Sequence, residues 1–187
     1  MISSDIKYRT RRLLPSLLVV IMLTSCERKL DTIKNADVLT LPSLTGENIH
    51  TVYVDSGKIQ LILSTPLIEE YSKKEEPYAE FRKGIHIDFY DGHPQPIANA
   101  SSRYAKYLDK KKLWELKDSV VIVNEAHEKL ETEQLFWDQE KDLIYTDRFV
   151  KITREDQTIM GTGFESDSRL LSPVIKHVTA TIYLRDE

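Results

Sequence analysis

Leu113-Trp114-Glu115-Leu116-Lys117-Asp118, continued by Val121-Ile122-Val123, is echoed by Leu143-Ile144-Tyr145-Thr146-Asp147, continued by Val150-Lys151-Ile152. Each stretch follows an aromatic–aspartate lead, Tyr107-Leu108-Asp109 in the first case and Phe136-Trp137-Asp138 in the second. Asp109, Asp138 and Asp167 recur at a 29-residue interval (138 − 109 and 167 − 138), and Asp118 and Asp147 keep the same offset. Within each unit apolar residues alternate with a period near two, as in half-buried strands rather than amphipathic helices. A fixed period filled with strand pattern means one β-unit used several times and stacked on itself. The aspartates fall at polar turns, where a carboxylate hydrogen-bonds the turn backbone.

The same pattern extends outward. Thr51-Val52-Tyr53-Val54 and Lys58-Ile59-Gln60-Leu61-Ile62-Leu63 flank Asp55-Ser56-Gly57, a hairpin signal. Leu67 to Glu76 reads as a helical turn or a connection, closed by Pro77. Tyr78 to Phe89 is extended with Gly84 inside it, and Asp91-Gly92-His93-Pro94 is a turn. From Ile97 to Leu184 short strands alternate with turns such as Asp109-Lys110-Lys111-Lys112 and Asp138-Gln139-Glu140-Lys141. Glu125 to Glu133 has helical propensity, but its place between strands predicts a turn and a strand. The expected class is all-β, a sandwich, barrel or roll of short antiparallel strands.

The N-terminus reads as a processing signal. Lys7, Arg9, Arg11 and Arg12 precede an apolar stretch from Leu13 to Leu23, eleven residues (23 − 13 + 1) interrupted by Pro15 and Ser16. That is too short for a bilayer, which takes roughly 20 residues, and suits a signal peptide. Leu23-Thr24-Ser25-Cys26 follows and resembles a bacterial lipobox, with Cys26, the chain's one cysteine, as the lipidated residue. The expected organisation is a lipoprotein signal peptide over 1–25, a lipidated N-terminus and flexible tether over 26–46, and a β-domain over 47–187. Cleavage leaves 162 residues (187 − 25), enough for one sizeable core. It also removes four basic residues and Asp5, taking the net charge from −4 to −7. Such a charge opposes binding to nucleic acid.

Lys112-Leu113-Trp114-Glu115-Leu116, Leu130 to Asp138 (LETEQLFWD) and Gly161-Thr162-Gly163-Phe164-Glu165-Ser166 together resemble the LptC family, in its lipoprotein form. Asp55-Ser56-Gly57 and Phe81-Arg82-Lys83-Gly84-Ile85 belong to the same resemblance, which covers about Thr51 to Thr179. The chain departs from it at Asp118-Ser119-Val120, where relatives carry a Gly-Asn-Val-like turn, and at Ala126-His127-Glu128, where a glycine is common. The resemblance implies a twisted β-jellyroll open along one seam, like those of LptA, LptC and OstA. It implies lipopolysaccharide transport without enzymatic activity. The lipid would come from LptF and LptG of the inner-membrane LptBFG transporter and pass to an LptA-like bridge protein. It also implies residence on the periplasmic face of the inner membrane, held by the lipid on Cys26.

An interior groove would be lined by Phe81, Ile87, Tyr107, Trp114, Leu116, Ile122, Leu135, Trp137, Ile144, Ile152, Ile159 and Phe164, with ordinary core packing as the alternative role of each. Only one member of Leu113-Trp114 and of Phe136-Trp137 can face inward on a regular strand. Val174, Ile175, Val178, Thr179, Ile182 and Tyr183 would form an edge for partner binding by strand addition. Gly161 and Gly163 mark a kink or a close backbone approach. His50, His86, His93, His127 and His177 show no ligand spacing, and no nucleophile elbow or phosphate loop occurs, so no metal, cofactor or catalytic residue is expected. A rival reading is an envelope lipoprotein β-domain with a structural or glycan-binding role, which calls for aromatics exposed on one outer face.

Overall fold

In the computed structural model, described for residues 41–168, 170 and 172–183, the chain is a single antiparallel sheet of eleven strands. In order they are β1 (Leu44–Asp55), β2 (Lys58–Tyr71), β3 (Tyr78–Phe81), β4 (Ile85–Phe89), β5 (Ala98–Ser102), β6 (Tyr104–Leu108), β7 (Leu113–Asn124), β8 (Lys129–Asp138), β9 (Leu143–Thr153), β10 (Gln157–Ser166) and β11 (Val174–Tyr183). The expected signal peptide, Cys26 and the tether as far as residue 40 lie outside the described residues.

The repeat resolves into hairpins. Asp109, Asp138 and Asp167 stand at the ends of β6, β8 and β10, where each strand turns toward its successor. At Asp138 the carboxylate accepts from the Lys141 amide at 3.1 Å, the turn role expected of it. Ser56 and Gly57, both at positive φ, form the β1–β2 hairpin turn. Glu125 to Glu128 is the turn between β7 and β8.

Two local expectations are corrected. Leu67 to Tyr71 is the second half of β2, not a helical turn. It is clamped between β1 (Ile68 opposite Gly46) and β3 (Tyr71 opposite Tyr78), so paired backbone overrides its weak alternation. Gly46, the last residue of the expected tether, lies within β1, which begins at Leu44.

The sheet is bent into a roll because its long strands kink at one level. The first half of β7 pairs with β6 and the second half with β5, while β2 pairs with β3 and β4 in the same divided way. Between the halves the register shifts: Lys117/Val120 against β8, Thr132/Phe136 against β9, and Thr162/Phe164 against β9. The kinks take left-handed backbone at Asn48, Gly84, Asp118, Ser119 and Gly163. Asp118 and Ser119 take this conformation in succession without a glycine, a conformation uncommon for residues with a Cβ.

Small hydroxyls stitch this corner. Thr65 Oγ1 donates to the Gly84 carbonyl at 2.8 Å, Ser102 Oγ to that of Tyr104 at 2.8 Å, and Thr132 Oγ1 to that of Phe149 at 2.8 Å. All three side chains are buried, as is Thr146, whose hydroxyl accepts from the Arg148 amide. Each satisfies a backbone group at the level where the strands kink and change partners. The two half-sheets then close over one core of Phe81, Ile85, Ile87, Trp114, Leu116, Ile122, Leu135, Ile152 and Phe164, among others.

Candidate functional site: the interior and the open seam

Cross-strand register sorts the twelve expected groove residues into three inward rows. On one half-sheet Leu63, Ile87, Ala100, Ile122, Leu130, Ile152 and Ile159 follow one another across seven strands. At about 4.8 Å per strand this row runs roughly 29 Å. On the other half-sheet Tyr107, Trp114, Trp137 and Ile144 form one row, and Phe81, Ala105, Leu116 and Leu135 a second, with Phe164 on β10. Nine of the twelve are buried, Tyr107 and Trp137 pack half-buried against the core, and Ile159 is half-buried where the row meets β11.

The adjacent bulky pairs are resolved by alternation. Trp114 and Trp137 are direct cross-strand partners facing inward, Trp114 between Phe81 (5.5 Å between centroids) and Tyr107 (4.7 Å). Phe136 points the other way and stacks on Tyr145 at 5.3 Å. Neither indole Nε1–H has a hydrogen-bond partner in the protein. Gly161 is a close approach: a Cβ there would collide with the carbonyl oxygen of His177 on β11.

Opposite the corner, the half-sheets meet along a seam. Phe89 at the end of β4 touches Trp137 on β8 edge-to-face at 5.4 Å. Beside them opens a cavity of about 650 Å³, with Leu61, Phe89, Ala98, Trp137 and Leu170 as its apolar lining. Its rim carries Asp55, Asp91, Glu125 and Glu128 against Arg154, whose Nε lies 2.9 Å from Glu128. Four carboxylates against one guanidinium leave the rim acidic, which disfavours phosphate there.

Among the described residues, both ends of the sheet are unpaired. β1 pairs only with β2, and β11 only with β10. On β11 Val174, Val178, Ile182 and Tyr183 are exposed, Ile175 packs against the core, and Thr179 is the exposed residue at a bulge between Val178 and Ala180. Val52, Tyr53 and Val54 are exposed on β1. Long apolar edges of this kind are aggregation hazards unless a partner covers them.

The polar clusters lie outside. Glu80 accepts from Tyr104 at 2.7 Å and pairs with Arg82 at 2.8 Å. Burial pushes the Glu80 carboxyl up, but these two bonds outweigh it and hold the group below the ordinary value. Burial, then the Glu80 carboxylate, raises the Tyr104 phenol far above its usual range. His86 pairs with Asp88 at 3.1 Å and His93 with Asp91 at 2.7 Å, on exposed surface. Among the described residues no group of three His, Cys, Asp or Glu side chains is placed to hold a metal. Nor is any described helix long and apolar enough to cross a membrane.

These features define an open-seamed β-jellyroll with an apolar interior and two unpaired edge strands. The family model for lipopolysaccharide-assembly, LptC-related proteins matches residues 16–183, and the chain belongs to that family. Its role is in lipopolysaccharide transport, as a periplasmic, inner-membrane-associated protein of the cell envelope working with the Lpt machinery. Comparison with curated proteins finds no match.

Proposed function

We propose that the roll is a lipid conduit, anchored by the lipid on Cys26, that accepts lipopolysaccharide from LptF and LptG and passes it to an LptA-like protein. The observation that carries this reading is the inward apolar row from Leu63 to Ile159, which runs across the strands toward the β11 edge. Acyl chains need no directional partners, and each methylene taken from water gains about 0.8 kcal/mol. The seam would let chains slide inside while the charged sugar head stays in water. Strand addition at β1 and β11 would continue the groove into its neighbours. The protein supplies no chemistry in this reading; the energy comes from the transporter.

A photocrosslinking residue at Trp137 or Ile159, both half-buried on the inward face, should capture lipopolysaccharide in cells in an ATP-dependent manner. The exposed Phe149 should give no adduct. Equal capture at all three, or none, rejects the conduit. At the edge, Val178→Asp combined with Ile182→Asp should abolish co-purification with the LptA-like partner. Both side chains are exposed, so folding should be spared. The glycan-binding rival receives less support, because the exposed aromatics Tyr53, Phe149 and Tyr183 stand on β1, β9 and β11 rather than together.

A further inference from the structure

Two kinked joints meet on the outside of the corner, and each carries a cation. Lys83 stands in the joint between β3 and β4, and Arg103 in the joint between β5 and β6. The joints touch: a Cβ on Gly84 would lie 3.4 Å from the Arg103 Cα. Both cations are exposed, and among the described residues neither makes an ion pair or a side-chain hydrogen bond. Lys117, Lys129, Lys151 and Arg154, by contrast, each face a glutamate. Beside the joints, register lines up His50 on β1, Ser64 on β2 and His86 on β4. His86 points outward because Ile85 and Ile87 on either side of it are buried. The two histidine backbones lie about 10 Å apart, two strand spacings, with Ser64 between them. His50 Nδ1 is 2.9 Å from Ser64 Oγ and His86 Nε2 is 3.1 Å from Asp88, so both rings are oriented. Lys83, Arg103, His50, Ser64 and His86 line one outer depression of about 550 Å³, and no described carboxylate lines it.

We propose that this depression binds a phosphate monoester, on the outside of the roll and apart from its apolar interior. An ammonium and a guanidinium without carboxylate partners make a local positive field on a chain whose net charge is negative. The guanidinium fork takes two phosphate oxygens, and the ammonium takes the third as a point charge. The Ser64 hydroxyl can donate to His50 Nδ1, which leaves the His50 Nε2–H for the ligand. The depression is larger than a bare anion, so the glycerol or sugar that carries the phosphate fits with it. The seam, with Asp55, Asp91, Glu125 and Glu128 on its rim, has the opposite character. A phosphate of this kind comes from a lipid headgroup or from a soluble ester, and the test separates the two. The proposal does not rest on the conduit reading.

The chain's own histidines serve as reporters, since His93, His127 and His177 do not line the depression. The full-length protein, isotope-labelled at histidine and held in phosphatidylcholine nanodiscs in phosphate-free buffer, is followed by imidazole NMR. One arm adds glycerol phosphate in solution; the other builds phosphatidate into the disc. In at least one arm the His50 and His86 signals should move saturably while the other three stay in place. Lys83→Gln combined with Arg103→Gln should weaken that response by at least about tenfold, the scale of lost charge-assisted contacts. Both side chains are exposed, and unmoved His93, His127 and His177 signals would report an intact fold. Lys73→Gln combined with Lys74→Gln removes the same charge outside the depression and should change nothing. A response in solution alone identifies a soluble ester, one in the disc alone a headgroup, and one in both shows that the ester group suffices. The site is overturned by silence in both arms, by all the histidine signals moving together, or by equal responses from the two double variants.

Discussion

At the corner, Thr65, Ser102 and Thr132 each donate to a backbone carbonyl at 2.8 Å, and the kinked residues sit in left-handed conformations. At the seam the half-sheets meet through one edge-to-face ring pair and one inserted leucine, beside a cavity of about 650 Å³. Hydrogen bonds are directional and costly to leave unmade in a buried place, whereas apolar contacts exchange readily for other apolar contacts. The roll therefore has one side held by directional bonds and one held by apolar contacts alone. The proposed conduit, which would admit and release a lipid, calls for that asymmetry.

The sharpest way to break the comparison is at the corner. Gly84 has φ +91°, and a Cβ there would lie 2.8 Å from the Ser102 backbone oxygen. Gly84→Ala should cost about 3 kcal/mol, from strain and from disturbed corner bonds. Thermal denaturation should show a drop of roughly 6–12 °C. A loss below 1 kcal/mol would mean that the corner yields as easily as the seam. Thr132→Val keeps the shape and removes the hydroxyl that serves the Phe149 carbonyl. It should cost about 1–3 kcal/mol in denaturant titration, with an unchanged slope if the roll stays closed.

The hairpins were legible because their signal is local: a 29-residue period, alternation, and turn residues at Asp109 and Asp138. The inward placement of the twelve residues proposed for the groove was legible for the same reason, since inward positions of paired strands repeat every second residue. The corner was not. Thr65, Ser102 and Thr132 read as ordinary strand residues, and only the register shifts reveal which carbonyls they serve. Leu67 to Tyr71 was misread because Glu69 and Glu70 break the apolar alternation. Glu69 finds its partner, Arg82 at 3.2 Å, only after β2 and β3 have paired. Leu170 sits in a loop without periodicity, so no pattern marks it as core.

The smallest effect separates pH sensitivity from either line. Glu80 lies on the outer face, bonded to Tyr104 and Arg82, and its carboxyl is held below the usual 4.5. A carboxyl lowered in the folded state stabilises the fold above its unfolded pKa, and that contribution is lost as pH falls through the folded value. Wild type should thus lose stability on acidification below about pH 4.5. Glu80→Gln should start about 1 kcal/mol less stable at pH 7, the scale of a lost charge-assisted bond, and converge with wild type in acid. Chemical denaturation of both forms across pH 3 to 7 reads the difference directly. Parallel curves would place the acid sensitivity elsewhere in the fold. Convergence would assign that part of the acid sensitivity to Glu80 on the outer wall of one half-sheet, apart from the hydroxyl bonds of the corner, whose donors and acceptors do not titrate.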